Sequence, residues 1–391
     1  MISDVFIIFT KMPYLTLAVM LKYLDPITLL KMSIYAERLM IAVGRSHVQT
    51  ASCNIKLRST FRKEVSIELN FGDKNETTIT WIIAKEYKQN MPVDWFGPLL
   101  LGTTRLDQCC HHFASNTYYT FGECLDTNME IVLDFLFYVF SCTTQEVDMD
   151  ENMLLHFSKS TGFLAKRQCD KLKIRASEKT SKASLEKVLN SFSAVETCEI
   201  GCYMGRDLDT EKLSNYRQII LNDALWLSSD SFLKIDCEHI HLHEHNLLGE
   251  DINTFINMWQ CGKKEKLRSF SISFEDDSMV DPTCVLNGLE IAEFDVTKRH
   301  RYYRLGNMAY DCCYALDIMS DDGQLASLLF DSSRLHFFVW KELYPDFSLP
   351  TGQYFTRITR TASLEARYPI PAVFGLNIEA LWDTQARVVI L

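Results

Sequence analysis

The N-terminal segment from Met12 to Gly44 combines many apolar residues with few charges, and its spacing is helical. Three leucines recur at i, i+4 and i+7, which places them on one face of a helix: Leu17, Leu21 and Leu24. Asp25 followed by Pro26 is typical of a helix start, because the aspartate caps the first turn and proline lacks only an N–H that would have no partner there. A cluster this short cannot bury its own apolar surface. We therefore expect it to dock against something else.

Two further short helices are predicted in the same segment. Ile27, Leu30 and Ile34 form the next apolar stripe, and 37–43 follows as a third helix that Gly44 is expected to end. On the pattern alone, a three-helix corner of a larger core explains the segment equally well.

The order of these residues resembles an F-box. Pro-x-Leu-x-Leu comes first, then Met-Leu-x-x-Leu, then Asp-Pro-x-x-Leu-Leu. The family usually begins Leu-Pro, where this chain has Met12-Pro13, and it usually has Cys or Ser where this chain has Ile34-Tyr35. The resemblance implies docking on the Skp adaptor of a cullin–RING ubiquitin ligase. The implied adaptor-facing residues are Pro13, Leu15, Leu17, Leu21, Leu24, Pro26, Leu29 and Leu30.

A downstream segment, 222–274, resembles the F-box-associated domain of nematode F-box proteins. It contains Trp226, an apolar strand ending in Cys237, a helix ending at Trp259 and a Leu-x-x-Phe-x-Ile strand. A later pair of segments, 317–323 and 336–340, is similar to the closing hairpin of that domain. The resemblance implies an F-box over 10–48, a substrate-binding domain over 60–342 and a C-terminal tail over 343–391 that lies outside it. We expect the tail to dock weakly and to be dispensable for stability.

The rest of the chain predicts an α/β fold in which helices alternate with strands. Strict alternation over 65–71 predicts a half-buried strand, with a turn at 72–75, a return strand over 77–83 and a loop over 91–98. Four helix–strand pairs follow: 130–140 with 146–149, 185–192 with 195–200, 227–233 with 237–242, and 252–259 with 267–274. Helices that cross repeatedly to parallel strands predict an irregular leucine-rich-repeat-like domain. An open α/β sheet without solenoid curvature is the alternative.

Composition limits the class of function. A formal net charge of −11 argues against a nucleic-acid partner. No apolar stretch reaches the length of a membrane span, so we expect no membrane association. The 13 cysteines are scattered, with no Cys-x-x-Cys, as in a reduced cytoplasmic or nuclear protein.

Three polar motifs invite a chemical interpretation. On a strand, His239, His241 and His243 share one face, and they are tentative target-binding residues rather than zinc ligands. The run from Cys109 to His112 is dense in metal ligands, but adjacent residues diverge and cannot easily meet at one ion. The basic run from Lys298 to Arg304 fits a solvated loop better than an anion site.

The sequence therefore favours a substrate-recognition subunit of a Skp–cullin–F-box ubiquitin ligase, which performs no bond chemistry and needs neither cofactor nor metal. It would bind the Skp-type adaptor through the helices and an unidentified protein target through the outward strand face. A cytosolic thiol- or metal-dependent hydrolase built on the cysteine and histidine clusters is the alternative. A scaffold that uses the helices for another partner is a third.

Overall fold

The computed structural model describes residues 11–46, 50–58, 64–71, 77–86, 95–101, 104–112, 115–150, 169–175, 181–192, 195–201, 208, 210–274, 281–306, 308–331, 333–343 and 354–356. They form a mixed α/β protein dominated by β-sheet, in two compact units. The first unit contains the described residues of Met1–Leu247 and Lys264–Ile272, and the second those of Leu248–Lys263 and Ser273–Leu391.

The α-helices are α1 (Tyr14–Leu21), α2 (Pro26–Tyr35), α3 (Glu37–Ser46), α4 (Leu125–Val139), α5 (Lys182–Ser191), α6 (Ser229–Lys234), α7 (Gly249–Gln260) and α8 (Pro282–Leu286). A 3₁₀ helix covers Thr210–Asn215. None of these helices is long and apolar enough to cross a lipid bilayer.

The strands up to the 3₁₀ helix are β1 (Thr50–Arg58), β2 (Glu64–Asn70), β3 (Thr78–Ala84), β4 (Trp95–Leu101), β5 (Thr104–His112), β6 (Thr117–Phe121), β7 (Ser141–Asp150), β8 (Cys169–Arg175) and β9 (Thr197–Gly201). The later strands are β10 (Gln218–Leu221), β11 (His239–Leu242), β12 (Ser269–Ser273), β13 (Ile291–Ala292), β14 (Tyr302–Leu305), β15 (Met308–Asp311), β16 (Leu316–Met319), β17 (Leu325–Phe330), β18 (Arg334–Val339) and β19 (Tyr354–Thr356).

The three predicted N-terminal helices are present, although their F-box identity stays a prediction. Asp25 caps α2 as expected, since its carboxylate accepts a hydrogen bond of 2.9 Å from the backbone N–H of Thr28. The prediction that Gly44 ends the third helix is wrong, because α3 continues through Gly44 to Ser46. Gly44 instead lets α3 approach α4 closely. A Cβ atom at this position would lie 2.7 Å from the carbonyl oxygen of Tyr138.

The alternation of helices with parallel strands is confirmed. β7 pairs in parallel with β1 and with β8, and the parallel order then continues through β9, β10, β11 and β12. Buried side chains from successive strands lie side by side in register. One such row is Val147, Leu172, Cys198, Ile219, Ile240 and Phe270. These rows form the core side of the sheet, while the leucine-rich-repeat likeness remains a prediction.

On the other side of β1 the sheet continues through β2, β3, β6, β5 and β4, and these strands pair antiparallel except for β3 and β6, which are parallel. The predicted strands at 65–71 and 77–83 are confirmed as β2 and β3, which pair antiparallel. The predicted turn at 72–75 lies outside the described residues. The predicted loop over 91–98 is partly wrong, because β4 begins at Trp95. β4 is the last strand in the sheet order, and its register shifts between Gly97 and Leu99. A bulge carrying Pro98 is a common protection for a strand at a sheet edge.

The second unit contains an antiparallel arrangement of β13, β16, β17 and β18, and a small sheet of β14, β15 and β19. The interpretation of the basic run from Lys298 to Arg304 as a solvated loop is wrong at Arg299. Its side chain is fully buried and its guanidinium donates to both carboxylate oxygens of Asp317, at 2.8 and 2.9 Å. β19 lies within the predicted C-terminal tail and pairs with β15; residues 344–353 and 357–391 lie outside the described residues.

Candidate functional site

Helix α1 carries apolar side chains on two sides. Leu17 and Leu21 are buried inside the chain. On the other side, three apolar side chains point to solvent at i, i+4 and i+8: Leu15 is 79% exposed, Val19 58% and Tyr23 85%. Tyr23 follows the end of α1. Its backbone N–H donates a hydrogen bond to the carbonyl oxygen of Met20, so a hydrogen-bonded turn continues past the helix end. We call Leu15, Val19 and Tyr23 the exposed α1 stripe.

The structure divides the eight residues that the sequence assigns to the adaptor. Pro13 and Leu15 are exposed, and Leu24 is half-buried. Five are buried: Leu17, Leu21, Pro26, Leu29 and Leu30. The buried five offer a partner almost no area, and contact of the eight with an adaptor stays a prediction. Val19 and Tyr23 were missed. Their spacing from Leu15, i+4 for Val19 and i+8 for Tyr23, was a usable signal, but the stronger stripe of Leu17, Leu21 and Leu24 hid it.

The second candidate surface is the polar side of the parallel sheet. In-register pairing places side chains from successive strands, all of them polar except Ile220, in two rows. The first row is Glu146, Lys171, Thr197, Gln218, His239 and Ser269. The second row is Asp148, Lys173, Glu199, Ile220, His241 and Ser271. We call these two rows the polar sheet face.

The part of this face on β7, β8 and β9, which we call the charged half, is held together by ion pairs. The carboxylate of Glu199 accepts from Lys171 at 2.6 Å and from Lys173 at 3.0 Å, and it also accepts from the amide of Asn222 at 3.0 Å. Burial alone would raise the pKa of Glu199, but the hydrogen bonds from the two lysines outweigh it and hold the pKa below its usual value. Arg175 lies 3.3 Å from Asp148. The charges of this half therefore largely neutralise one another.

The other part, on β10, β11 and β12, carries no carboxylate or ammonium group. We call its six side chains the neutral half: Gln218, Ile220, His239, His241, Ser269 and Ser271. His239 hydrogen-bonds the hydroxyl of Ser269 through Nδ1 at 2.9 Å. On β11 the histidines alternate with the buried Ile240 and Leu242, which confirms the predicted alternation.

The third histidine, His243, follows the end of β11, where the chain leaves the sheet. Its carbonyl accepts from the N–H of Ala224, and its own N–H bonds the carbonyl of Leu221. The next histidine, His245, is half-buried, and burial followed by the charge of His243 lowers its pKa to about 4. His245 is therefore neutral at physiological pH.

The run from Cys109 to His112 lies on β5 and serves packing. His111 stacks on Tyr118 at 4.0 Å between ring centroids, and Tyr118 stacks on Trp81 at 5.0 Å. Burial raises the pKa of the Cys109 thiol to about 11, and burial followed by the neighbouring Cys109 does the same for Cys110. Among the described residues, no three metal-ligating side chains converge.

The comparisons with known proteins bear on the neutral half. Residues 209–272 match a family model described as F-box associated. This range contains β10, β11 and most of β12. It supports the resemblance seen over 222–274, whereas the F-box itself stays a prediction.

Two uncharacterized proteins of Caenorhabditis elegans are similar to this chain. F59B2.9 is 19% identical over 339 residues, which span 83% of this chain and 77% of that protein. F59B2.8 is 28% identical over 135 residues, which span 32% of this chain and 31% of that protein. The chain is thus similar to nematode proteins of undescribed activity, and over 209–272 it is similar to F-box-associated domains.

Proposed function

We propose that this protein is a substrate-recognition subunit of a Skp–cullin–F-box type ubiquitin ligase. The exposed α1 stripe binds the Skp-type adaptor, and the polar sheet face binds the protein to be ubiquitinated. The chain's contribution is to hold a target near the ligase, which raises its effective concentration and orients its lysines.

The observation that carries the proposal is the two-sided apolarity of α1. One side already packs within the chain through Leu17 and Leu21, yet the opposite side keeps Leu15, Val19 and Tyr23 in water. Scattered single apolar residues on a surface are ordinary, whereas a row of three on one side of a helix is typical of a partner-binding surface. The F-box-associated match downstream supports an adaptor as that partner.

The target-binding role rests on the polar sheet face. A parallel sheet presents regularly spaced side chains over several strands, which suits recognition of a protein surface without a catalytic pocket. The family match covers the part of the sheet where the histidines lie.

Three buried thiols lack the lowered pKa that a cysteine nucleophile needs. Burial raises the pKa of Cys169, Cys237 and Cys312 to about 12. A nucleophilic cysteine needs a lowered pKa, because the thiolate is the reactive form. These groups are therefore poor nucleophiles, and the hydrolase alternative gains no support from them.

Co-purification tests the proposal. The tagged full chain is expressed with a nematode Skp-type adaptor, and adaptor recovery is compared for the wild type and for Leu15→Asp/Tyr23→Asp. We expect the adaptor to co-purify with the wild type and not with the double variant, since each new carboxylate would enter an apolar interface without a counter-charge.

A matched control separates interface loss from a general effect of added charge. Leu225 is 42% exposed and lies outside the N-terminal helices, so Leu225→Asp makes the same chemical change elsewhere. It should leave recovery unchanged, with circular dichroism confirming that all chains are folded. Absence of adaptor from the wild-type preparation contradicts the proposal.

A further inference from the structure

The N-terminal helices are cationic, although the whole chain is acidic. Residues 11–46 contain five lysine or arginine side chains and two carboxylates, a net charge of +3, whereas the full chain has a formal net charge of −11. Both carboxylates lie at helix starts: Asp25 caps α2, and Glu37 is in the first turn of α3. The positive end of a helix dipole offsets a carboxylate there. The N-terminal helices therefore present positive charge, while the rest of the chain is negative.

Lys22 lies directly beside the exposed α1 stripe. It follows Leu21 with helical backbone angles, φ −65° and ψ −17°, so the helical spacing continues past the end of α1. Residues three apart are neighbours on a helix, which places Lys22 next to Val19, and Tyr23 comes directly after it. The Lys22 side chain is exposed and forms no ion pair with a carboxylate of the described residues. Lys11, which precedes α1, is likewise exposed and without such a pair in the described part of the chain.

The lysines of the polar sheet face differ in this respect. Lys171 and Lys173 already pair with Glu199, at 2.6 and 3.0 Å. A partner that approached them would have to break these ion pairs, whereas Lys22 can pair with a carboxylate of the partner without such a loss. The surface around α1 therefore has charge to offer to a partner, and the charged half of the sheet face has little.

A partner that covers the exposed α1 stripe also covers the base of the Lys22 side chain. The methylene groups of a lysine can pack on apolar surface while its ammonium group stays at the edge of the interface. An ammonium group that loses water without gaining a carboxylate costs free energy, and acidic residues on the partner remove this cost. They also direct the approach, because the negative remainder of the chain repels an acidic partner while the positive N-terminal helices attract it.

From these observations we infer that the adaptor surface which binds the exposed α1 stripe is an apolar groove edged by carboxylates, one of which pairs with Lys22. This inference rests on the proposed function and adds the chemistry of the partner's surface. Attraction between opposite charges speeds the association of two proteins and makes it sensitive to salt, which screens the charges.

Association rates test the inference. The tagged full chain is immobilised, and binding of a purified nematode Skp-type adaptor is followed by biolayer interferometry at low and at high NaCl concentration. We expect the association rate constant of the wild type to fall at least about fivefold at the higher salt concentration. Lys22→Glu should associate at least about fivefold more slowly than the wild type at low salt, and the difference should shrink at high salt.

Two further variants serve as controls. Lys263 is an exposed lysine in the turn that follows α7, outside the N-terminal helices, so Lys263→Glu makes the same charge reversal elsewhere. It should leave the association rate constant of the adaptor unchanged. Lys22→Gln removes the charge without adding a carboxylate, and it should slow association less than Lys22→Glu. Circular dichroism confirms that each variant is folded.

Adaptor association that ignores salt overturns the inference, and so does unchanged or faster association of Lys22→Glu and Lys22→Gln. In these cases the adaptor still binds, so the proposed function stands. A folded wild-type chain that binds no adaptor contradicts the proposed function, and the inference falls with it. Vesicles of phosphatidylcholine with phosphatidylserine test an anionic lipid surface instead. Vesicle binding that Lys22→Glu abolishes, together with adaptor binding that ignores salt, would assign the positive charge to lipid and overturn the inference.

Discussion

Gly44 of α3 lies against the backbone of Tyr138 in α4, so closely that a methyl group has no space. A Cβ atom at Gly44 would lie 2.7 Å from the Tyr138 carbonyl oxygen and 2.9 Å from its ring. The third N-terminal helix therefore packs on the helix that leads into β7, within the same compact unit as the parallel sheet. This explains how the inner side of the N-terminal cluster is buried.

Substitution of Gly44 tests this contact. Gly44→Ala forces either the helix or the Tyr138 backbone to move, and overpacking of this kind costs about 1–3 kcal/mol. Alanine otherwise favours a helix over glycine, so a loss of stability can only come from the contact. Urea unfolding measures it. Arg45→Ala, at the exposed neighbour, should change the free energy of unfolding by less than about 0.5 kcal/mol, and a neutral Gly44→Ala would refute the close packing.

The two sides of α1 should respond differently to truncation. Leu21 is fully buried, so Leu21→Ala removes packing and should cost about 2–5 kcal/mol of stability. Leu15→Ala removes an exposed side chain and should cost little in the free protein. Thermal unfolding followed by circular dichroism compares them. Equal effects on stability would mean that the assigned sides of α1 are wrong.

Arg299 and Asp317 form a buried ion pair in the second unit. Removal of one partner leaves the other without its counter-charge. The guanidinium also lies 4.6 Å from the Phe294 ring and 5.0 Å from the Trp340 ring. Arg299→Met should cost about 3–5 kcal/mol, because it leaves an uncompensated buried carboxylate. The half-exposed pair of Arg301 and Asp311 is the control.

Arg301→Met should cost at most about 1 kcal/mol, as is usual for exposed pairs. Both variants are compared by denaturant unfolding. Similar losses of unfolding free energy for the two variants would show that burial does not make the Arg299–Asp317 pair more important for stability than the Arg301–Asp311 pair.

Glu199 predicts a pH dependence of stability. Its folded-state pKa lies below the usual value of 4.5, so the ionised form stabilises the fold. This contribution is present above about pH 4.5 and is lost as the pH falls through the lowered pKa. The unfolding midpoint of Glu199→Gln should therefore lie below that of the wild type at pH 7, and the gap should narrow in acid. A gap that widens in acid would contradict the ion-pair assignment.

Periodicity predicted much of this fold, because alternate burial leaves a clear trace in β2, β3 and β11. Periodicity failed at positions where tertiary contacts determine the local structure. Gly44 has the usual signature of a helix end, yet α3 continues through it, and its missing side chain leaves room for Tyr138 of α4. Arg299 belongs to a charged run that predicts a solvated loop, and only the structure places Asp317 beside it. The exposed α1 stripe was not predicted, because the sequence alone does not show which of the two apolar sides of the helix faces the core.

The affinity of the Skp-type adaptor for this chain tests the central claim most directly. Isothermal titration calorimetry of the purified full chain should give saturable one-to-one binding for the wild type and for Leu225→Asp. Leu15→Asp/Tyr23→Asp should bind at least about a hundredfold more weakly, because an uncompensated charge in an interface costs several kcal/mol and each 1.4 kcal/mol is a factor of ten. Equal affinity of the double variant and the wild type, or no binding by a folded wild-type chain, would contradict the account.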